Sequence, residues 1–162
     1  MNLQPLRNLI NFYRSLKQTV EIITDESIMK YDELIANLIR DQLLNGTDGE
    51  GKKIIYKNNR TSKLAENGNY TYAYDRYKRK RGGNTSVVDL KLTGQFVNSL
   101  YLDRERIGVY KIISRNNEDL QAILVKNYGD KILQLKSGYM NILVNTLRAE
   151  IQFRLSIKIQ SI

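Results

Sequence analysis

Leu90 to Ile113, LKLTGQFVNSLYLDRERIGVYKII, changes its hydrophobic period once, and that change decides the fold class. Thr93 can cap a short helix over residues 94–99 that carries Phe96 and Val97 toward a core, and Gly94 lets the backbone turn closely before it. From Leu100 onward the apolar residues alternate. Leu100 and Leu102 interleave with Tyr101 and Asp103, and Val109 to Ile113 follow a turn near Gly108. Alternation on both sides of a glycine predicts a β-hairpin or meander.

Helical spacing surrounds this segment. Pro5 suits a first helical turn, and Leu9, Phe12, Leu16, Val20 and Ile23 recur every three or four residues. Thr24 or Asp25 can cap a second helix with Ile28, Tyr31, Ile35, Leu38 and Ile39 on one stripe, which Asn45-Gly46 ends. Residues 1–46 therefore predict a helical hairpin or a long helix bent near Thr24. No heptad pattern sustained over several turns is expected. Downstream, Asn117 can cap a helix that Gly129 ends. A last helix starts at Ser137 through Met140, Leu143, Leu147, Ile151 and Leu155, although Phe153, Leu155, Ile157 and Ile159 also alternate like a strand.

Between these parts, residues 47–69 lose periodicity in TDGEGKK and KNNRTSKLAENGN, with Ile54-Ile55-Tyr56 as one candidate short strand. They read as a long polar loop or arm. YTYAYDRYKRKR, residues 70–81, fits a short helix with Tyr70, Tyr74 and Tyr77 on one side, or a strand with Tyr70, Tyr72 and Tyr74 alternating. The expected fold is α+β in a single domain, residues 1–162: a helical hairpin at 1–46, the arm at 47–69, and a core at 70–162 in which helices flank a small antiparallel sheet, with a C-terminal helix.

Composition removes many chemistries. The 162 residues include no cysteine and no histidine, so disulfides, thiolate or imidazole zinc sites and His- or Cys-based triads are excluded. No apolar run approaches a membrane span, and no signal-peptide pattern opens the chain. Net charge is +9, distributed as −3 over residues 1–50, +7 over 51–90 and +5 over 91–162. That asymmetry suits a polyanionic neighbour, either nucleic acid or an acidic protein surface.

Four stretches are candidate sites. GTDGEGKK, Gly46 to Lys53, has the GxxxxGK spacing of a phosphate-binding loop, but Lys53 stands where Mg²⁺ coordination needs Ser or Thr, and the segment follows a helix rather than a strand. Arg76, Lys78, Arg79, Lys80 and Arg81, interleaved with tyrosines, are candidate contacts to DNA or to an acidic partner. A solvated helix face is the plainer alternative, with the tyrosines packed on the core. Asp103 and Glu105 share a strand face as an acid–base pair would, yet the alternating Arg104 and Arg106 favour a solvated strand. Ser99 has only Lys91 as a formal base, so enzymatic function is disfavoured.

Taken together, Leu92, Thr93, Gly94, Phe96, Ser99 and Leu100 resemble the signature of the tailed-bacteriophage virion morphogenesis, or tail-completion, family, of the kind found in crAss-like phages of gut Bacteroides-type hosts. Similar motifs stand in the same order: GxDxxGK at Gly46, Asp48, Gly51 and Lys52; a tyrosine helix and basic run at Tyr74, Tyr77 and Lys78 to Arg81; VDLxLTG at Val88 to Gly94; and YGDxIxxL at Tyr128, Gly129, Asp130, Ile132 and Leu135. The likeness covers about residues 33–135. The inserted KNNRTSKLAENGN and the long last helix depart from it. What it implies is a virion protein made in the host cytoplasm, a subunit of a homo-oligomeric neck ring joining head to tail, with no catalytic residue, metal or cofactor. The expected partners are itself, the portal and adjacent neck or tail proteins, with packaged double-stranded DNA as a further candidate and no membrane. Thr93, Gly94, Phe96 and Ser99 would then be a structural turn. The alternative is a basic DNA-binding accessory protein.

Overall fold

A computed structural model describes residues 4–55, 70–82, 85–88, 90, 94–115 and 118–160, and its architecture is α+β. Helix α1 (Gln4–Lys30) runs unbroken through Thr24, and the chain breaks at Tyr31 before α2 (Asp32–Leu44). Neither residue expected as a cap is available for that role. Asp25 is drawn into tertiary contacts, and the nearby Ser27 hydroxyl donates back to the Ile23 carbonyl at 2.7 Å, staying within the helix. Asp32 and Glu33 instead sit in the first turn of α2, where their charge complements the helix dipole. At the other end Gly46 takes φ +66, and a Cβ there would stand 2.6 Å from the Val87 Cβ, so both backbone angle and space demand glycine.

The opening stretch forms the expected elements. A helix of one turn (Gln95–Asn98), α4 in chain order after α3 (Tyr72–Arg79), leads directly into β1 (Leu100–Arg106). This strand pairs antiparallel with β2 (Val109–Ser114) across a turn holding Gly108 at φ +77. Leu102 faces Ile112 in register, and both are buried with Leu100. On this face pack Ile35, Ile39 and Leu43 of α2, joined by Ile54, Val88, Phe96, Val97, Ile132 and Leu143. Ile39, Leu43 and Leu100 have no exposed surface, so each contributes about 1.5–3 kcal/mol of burial.

Within residues 70–81 the helical reading prevails as α3, which the Thr71 hydroxyl caps by accepting from the Tyr74 amide. Helix α5 (Glu118–Tyr128) ends at Gly129, φ +97, and a 3-10 turn (Asp130–Leu133) leads to α6 (Ser137–Gln160). The strand-like alternation near residue 155 does not prevail. Leu147, Ile151 and Leu155 stay partly buried at helical spacing, and α6 lies antiparallel along α1. Lys30 to Glu150 and Arg154 to Glu26, each 2.9 Å, fix that pairing. Of the expected arm, residues 47–55 fold back onto the core, with a bridge between Thr47 and Lys53 and Ile54 buried; no strand forms at Ile54-Ile55, and Tyr56 with the rest of 56–69 lies outside the described residues.

Candidate functional site: the basic tyrosine helix and its supporting turns

Helix α3 and the turn after it carry the five basic candidates, and the fold divides them. Lys78 is buried: its Nζ donates to the Tyr70 hydroxyl at 2.8 Å and lies 4.6 Å from that ring's centre. Its ammonium is therefore not presented at the surface. Arg79 is held by Asp75 at 2.7 Å, and that guanidinium keeps the Asp75 carboxyl below the usual carboxylate range. Arg81 lies over the Tyr77 ring, 4.2 Å from its centre. Arg76 and Lys80 are exposed and, among the described residues, make no ion pair. The available face is therefore Arg76 and Lys80, flanked by the already engaged Arg79 and Arg81. Tyr70 packs against the core and meets the Tyr74 ring at a tilt, whereas Tyr77 is 41% exposed and Tyr72 more so. The tyrosines thus split between packing and surface, because an eight-residue helix turns some of them away from the core.

GTDGEGKK is a closed structural turn. The Asp48 carboxylate accepts from the amides of Glu50 and Lys52, both at 2.9 Å, and the Asp48 amide donates to the Lys52 carbonyl at 2.8 Å. Amides that would cradle a phosphate are already used. Its outer side docks on the 3-10 turn. The Gly49 amide donates to the Lys131 carbonyl at 2.8 Å, and Lys131 pairs with Glu50, whose carboxyl it and Lys52 pull down to about 2. Buried Gln42 completes the joint, donating to the Gln134 carbonyl at 2.8 Å and accepting from the Lys136 amide at 2.9 Å. Two motifs about eighty residues apart in sequence, at 46–52 and 128–135, thereby form one contact.

In the signature turn, Gly94 adopts φ +80 and heads α4, Phe96 and Val97 are buried, and Thr93 lies outside the described residues with Lys91. Ser99 is a staple. Its hydroxyl lies 2.6 Å from that of buried Ser114 and donates to the Phe96 carbonyl at 2.9 Å. Arg40 of α2 closes the end of this short helix, donating to the carbonyls of Val97 at 3.2 Å and Leu100 at 2.6 Å while pairing with Glu33 at 2.5 Å. Asp103 pairs weakly with Lys111 at 3.9 Å, and Glu105 is exposed near a strand irregularity, so the two acids share no acid–base geometry.

Sequence reasoning missed the buried acid. Asp25, on α1, is 4% exposed, accepts from the Tyr110 hydroxyl at 2.6 Å and pairs with Arg104. The Tyr110 hydrogen bond, aided by Arg104, holds its carboxyl below the ordinary value against the opposing effect of burial. Burial, then Asp25, push the Tyr110 hydroxyl up to about 12. One signal was available: in β1, Arg104 falls on the same strand face as Leu100 and Leu102, which sets its half-exposed charge beside the core where an acidic partner is expected.

No helix among the described residues is long and apolar enough to cross a membrane. Nor does any group of three or more acidic side chains among them converge on a cation site. No family model, curated protein or solved structure matches this chain.

Proposed function

We propose that this protein is a structural virion component, a subunit of an oligomeric neck ring that joins the portal and head of a tailed bacteriophage to its tail. The observation that carries the reading is the ordered set of motifs at 46–52, 74–81, 88–94 and 128–135, whose described parts, apart from the exposed basic side of α3, serve the fold. Asp48 closes a turn, Phe96 anchors the core, and Ser99 joins helix to hairpin. What remains for function is surface: the exposed apolar side chains of α1 and α6 and the basic side of α3. The protein would assemble, without turnover or cofactor, with copies of itself, the portal and the next neck or tail protein. Electron microscopy of particles made without it is expected to show DNA-filled heads that leak or lack tails. Intact, infectious particles would refute the proposal.

The second reading, a basic DNA-binding accessory protein, rests on the +7 segment. Burial of Lys78 and the engagement of Arg79 and Arg81 narrow that surface. If it binds DNA, neutralising Arg76 and Lys80 flattens the dependence of log affinity on log salt by about 0.9 for each phosphate they had neutralised. An unchanged slope removes this face from DNA binding.

A further inference from the structure

Helices α1 and α6 are paired with a stagger that leaves each without the other at one end. Ion pairs match Glu26 with Arg154 and Lys30 with Glu150, in antiparallel order. Since α6 ends at Gln160, its axis runs out near Thr19 of α1. Residues 4–18 are all exposed, an overhang of roughly 24 Å at 1.5 Å per residue when Thr19 is included. At the opposite end α1 stops at Lys30, and α6 continues back from Ala149 to Ser137 without it, about 20 Å.

Both overhangs are apolar. On the α1 arm Leu6, Leu9, Phe12, Tyr13 and Leu16 are 39–60% exposed. Leu6, Leu9, Tyr13, Leu16, Val20 and Ile23 alternate steps of three and four. That is a packing seam of about two heptads, short of the sustained repeat of a coiled coil. On the half of α6 that α1 does not cover, Leu143 is buried in the core and the Tyr139 hydroxyl donates to Asp41 of α2, while Met140, Ile142 and Val144 remain 42–50% exposed. Met140 and Val144 also wall a groove of about 370 Å³ that reaches Ile28, Leu102 and Leu133.

We infer that a second copy of this chain fills the groove, its α1 arm lying along residues 137–149 of α6 and so continuing the α1–α6 packing head to tail. The arm cannot reach its own groove. It is one continuous helix held against α6, and Ile28, which lines the groove, lies about 18 Å along the axis from Leu16. The two overhangs agree in length and in apolar character. The arm's exposed apolar side chains offer on the order of 700 Å², near the roughly 800 Å² per partner of a standard interface. Pairing of arm with arm would leave the groove open, whereas arm in groove covers both surfaces. A contact between different surfaces of like subunits closes into a ring when its rotation permits. The inference rests on the neck-ring reading for its purpose, although the contact itself is a property of the purified chain.

The test uses two full-length variants whose changes fall at exposed positions: an arm variant, Leu9→Glu with Leu16→Glu, and a groove variant, Met140→Glu with Val144→Glu. Circular dichroism and thermal unfolding check that both fold, and Leu9→Gln with Leu16→Gln replaces the arm pair if they do not. In sedimentation velocity the wild type is expected to form multimers. Each variant alone should be monomeric, its self-association weakened about 30-fold or more. An equimolar mixture should give dimers that grow no further, because each variant supplies the surface the other lacks. A wild type monomeric at hundreds of micromolar overturns the inference. So does a groove variant that still self-associates, which would mean arm pairs with arm, or an arm that binds anionic vesicles without self-association. Failure here with tailless particles in the deletion would spare the connector reading; multimers from a protein absent from virions would do the reverse.

Discussion

Replacing Asp25 by alanine tests how α1 is held to the hairpin. The change removes a hydrogen bond from Tyr110 at 2.6 Å and a charge-assisted contact to Arg104. Neutral hydrogen bonds contribute about 0.5–1.5 kcal/mol and charged ones about 1.5–3. Losing one member of a fully buried pair costs about 3–5 kcal/mol, but the Arg104 side chain is 48% exposed and regains water, so the lower range applies. Alanine recovers about 0.5 kcal/mol of helix propensity. The net expectation is a loss of about 2 kcal/mol, which with a urea m-value of about 2 kcal/mol per molar moves the midpoint down by about 1 M. Urea titration at pH 7 measures it, and a cycle with Tyr110→Phe should return a coupling of about 1 kcal/mol. Because the Asp25 carboxyl titrates below its ordinary 3.8, its contribution is present above that value and is lost as pH falls through the folded value. The gap between wild type and variant should therefore narrow in acid. A midpoint shift under about 0.2 M, or zero coupling to Tyr110, would refute the reasoning.

Other perturbations probe the remaining joints. Gly46→Ala should lower stability by about 1–3 kcal/mol in thermal melts, since the backbone sits at φ +66 and the new methyl would meet Val87. Phe96→Ala should cost about 3–5 kcal/mol by denaturant titration, because the ring is buried in the core that α4, the hairpin and α2 share. Glu50→Gln should lower neutral-pH stability slightly, since the ionised carboxylate is held by Lys131 and Lys52, and the gap to wild type should close as pH falls from about 4.5, the ordinary value, toward about 2, where wild-type Glu50 protonates. Alkaline unfolding should begin as pH rises from 10 toward about 12, where the unfolded chain loses the Tyr110 proton that the folded one keeps, and Tyr110→Phe should delay it.

Much of the candidate site is visible without the fold, but its availability is not. The basic run and its tyrosines are conspicuous in YTYAYDRYKRKR, and a helix is one of two readings. Which lysine is buried depends on where Tyr70 sits, and no local pattern distinguishes Lys78 from Lys80. GTDGEGKK fails as a phosphate loop from its context alone. Its true role, a turn seated on Lys131 and Gln134, needs the 3-10 turn beside it.

By itself the sequence determined the α+β class, the helix-to-hairpin change near Leu100, the glycine stops at Gly46 and Gly129 and most of the core, because local periodicity, glycine angles and apolar spacing act within a few residues. Tertiary structure alone decided that α1 breaks at Tyr31 rather than Thr24, that Asp25 meets Arg104 and Tyr110, that Arg40 closes α4, and that α1 pairs with α6 in a stagger. Nearly all of those outcomes depend on partners dozens of residues away. A polar side chain that caps a helix in one setting is worth more when buried against a charge in another, and only the packed chain shows which neighbour it has.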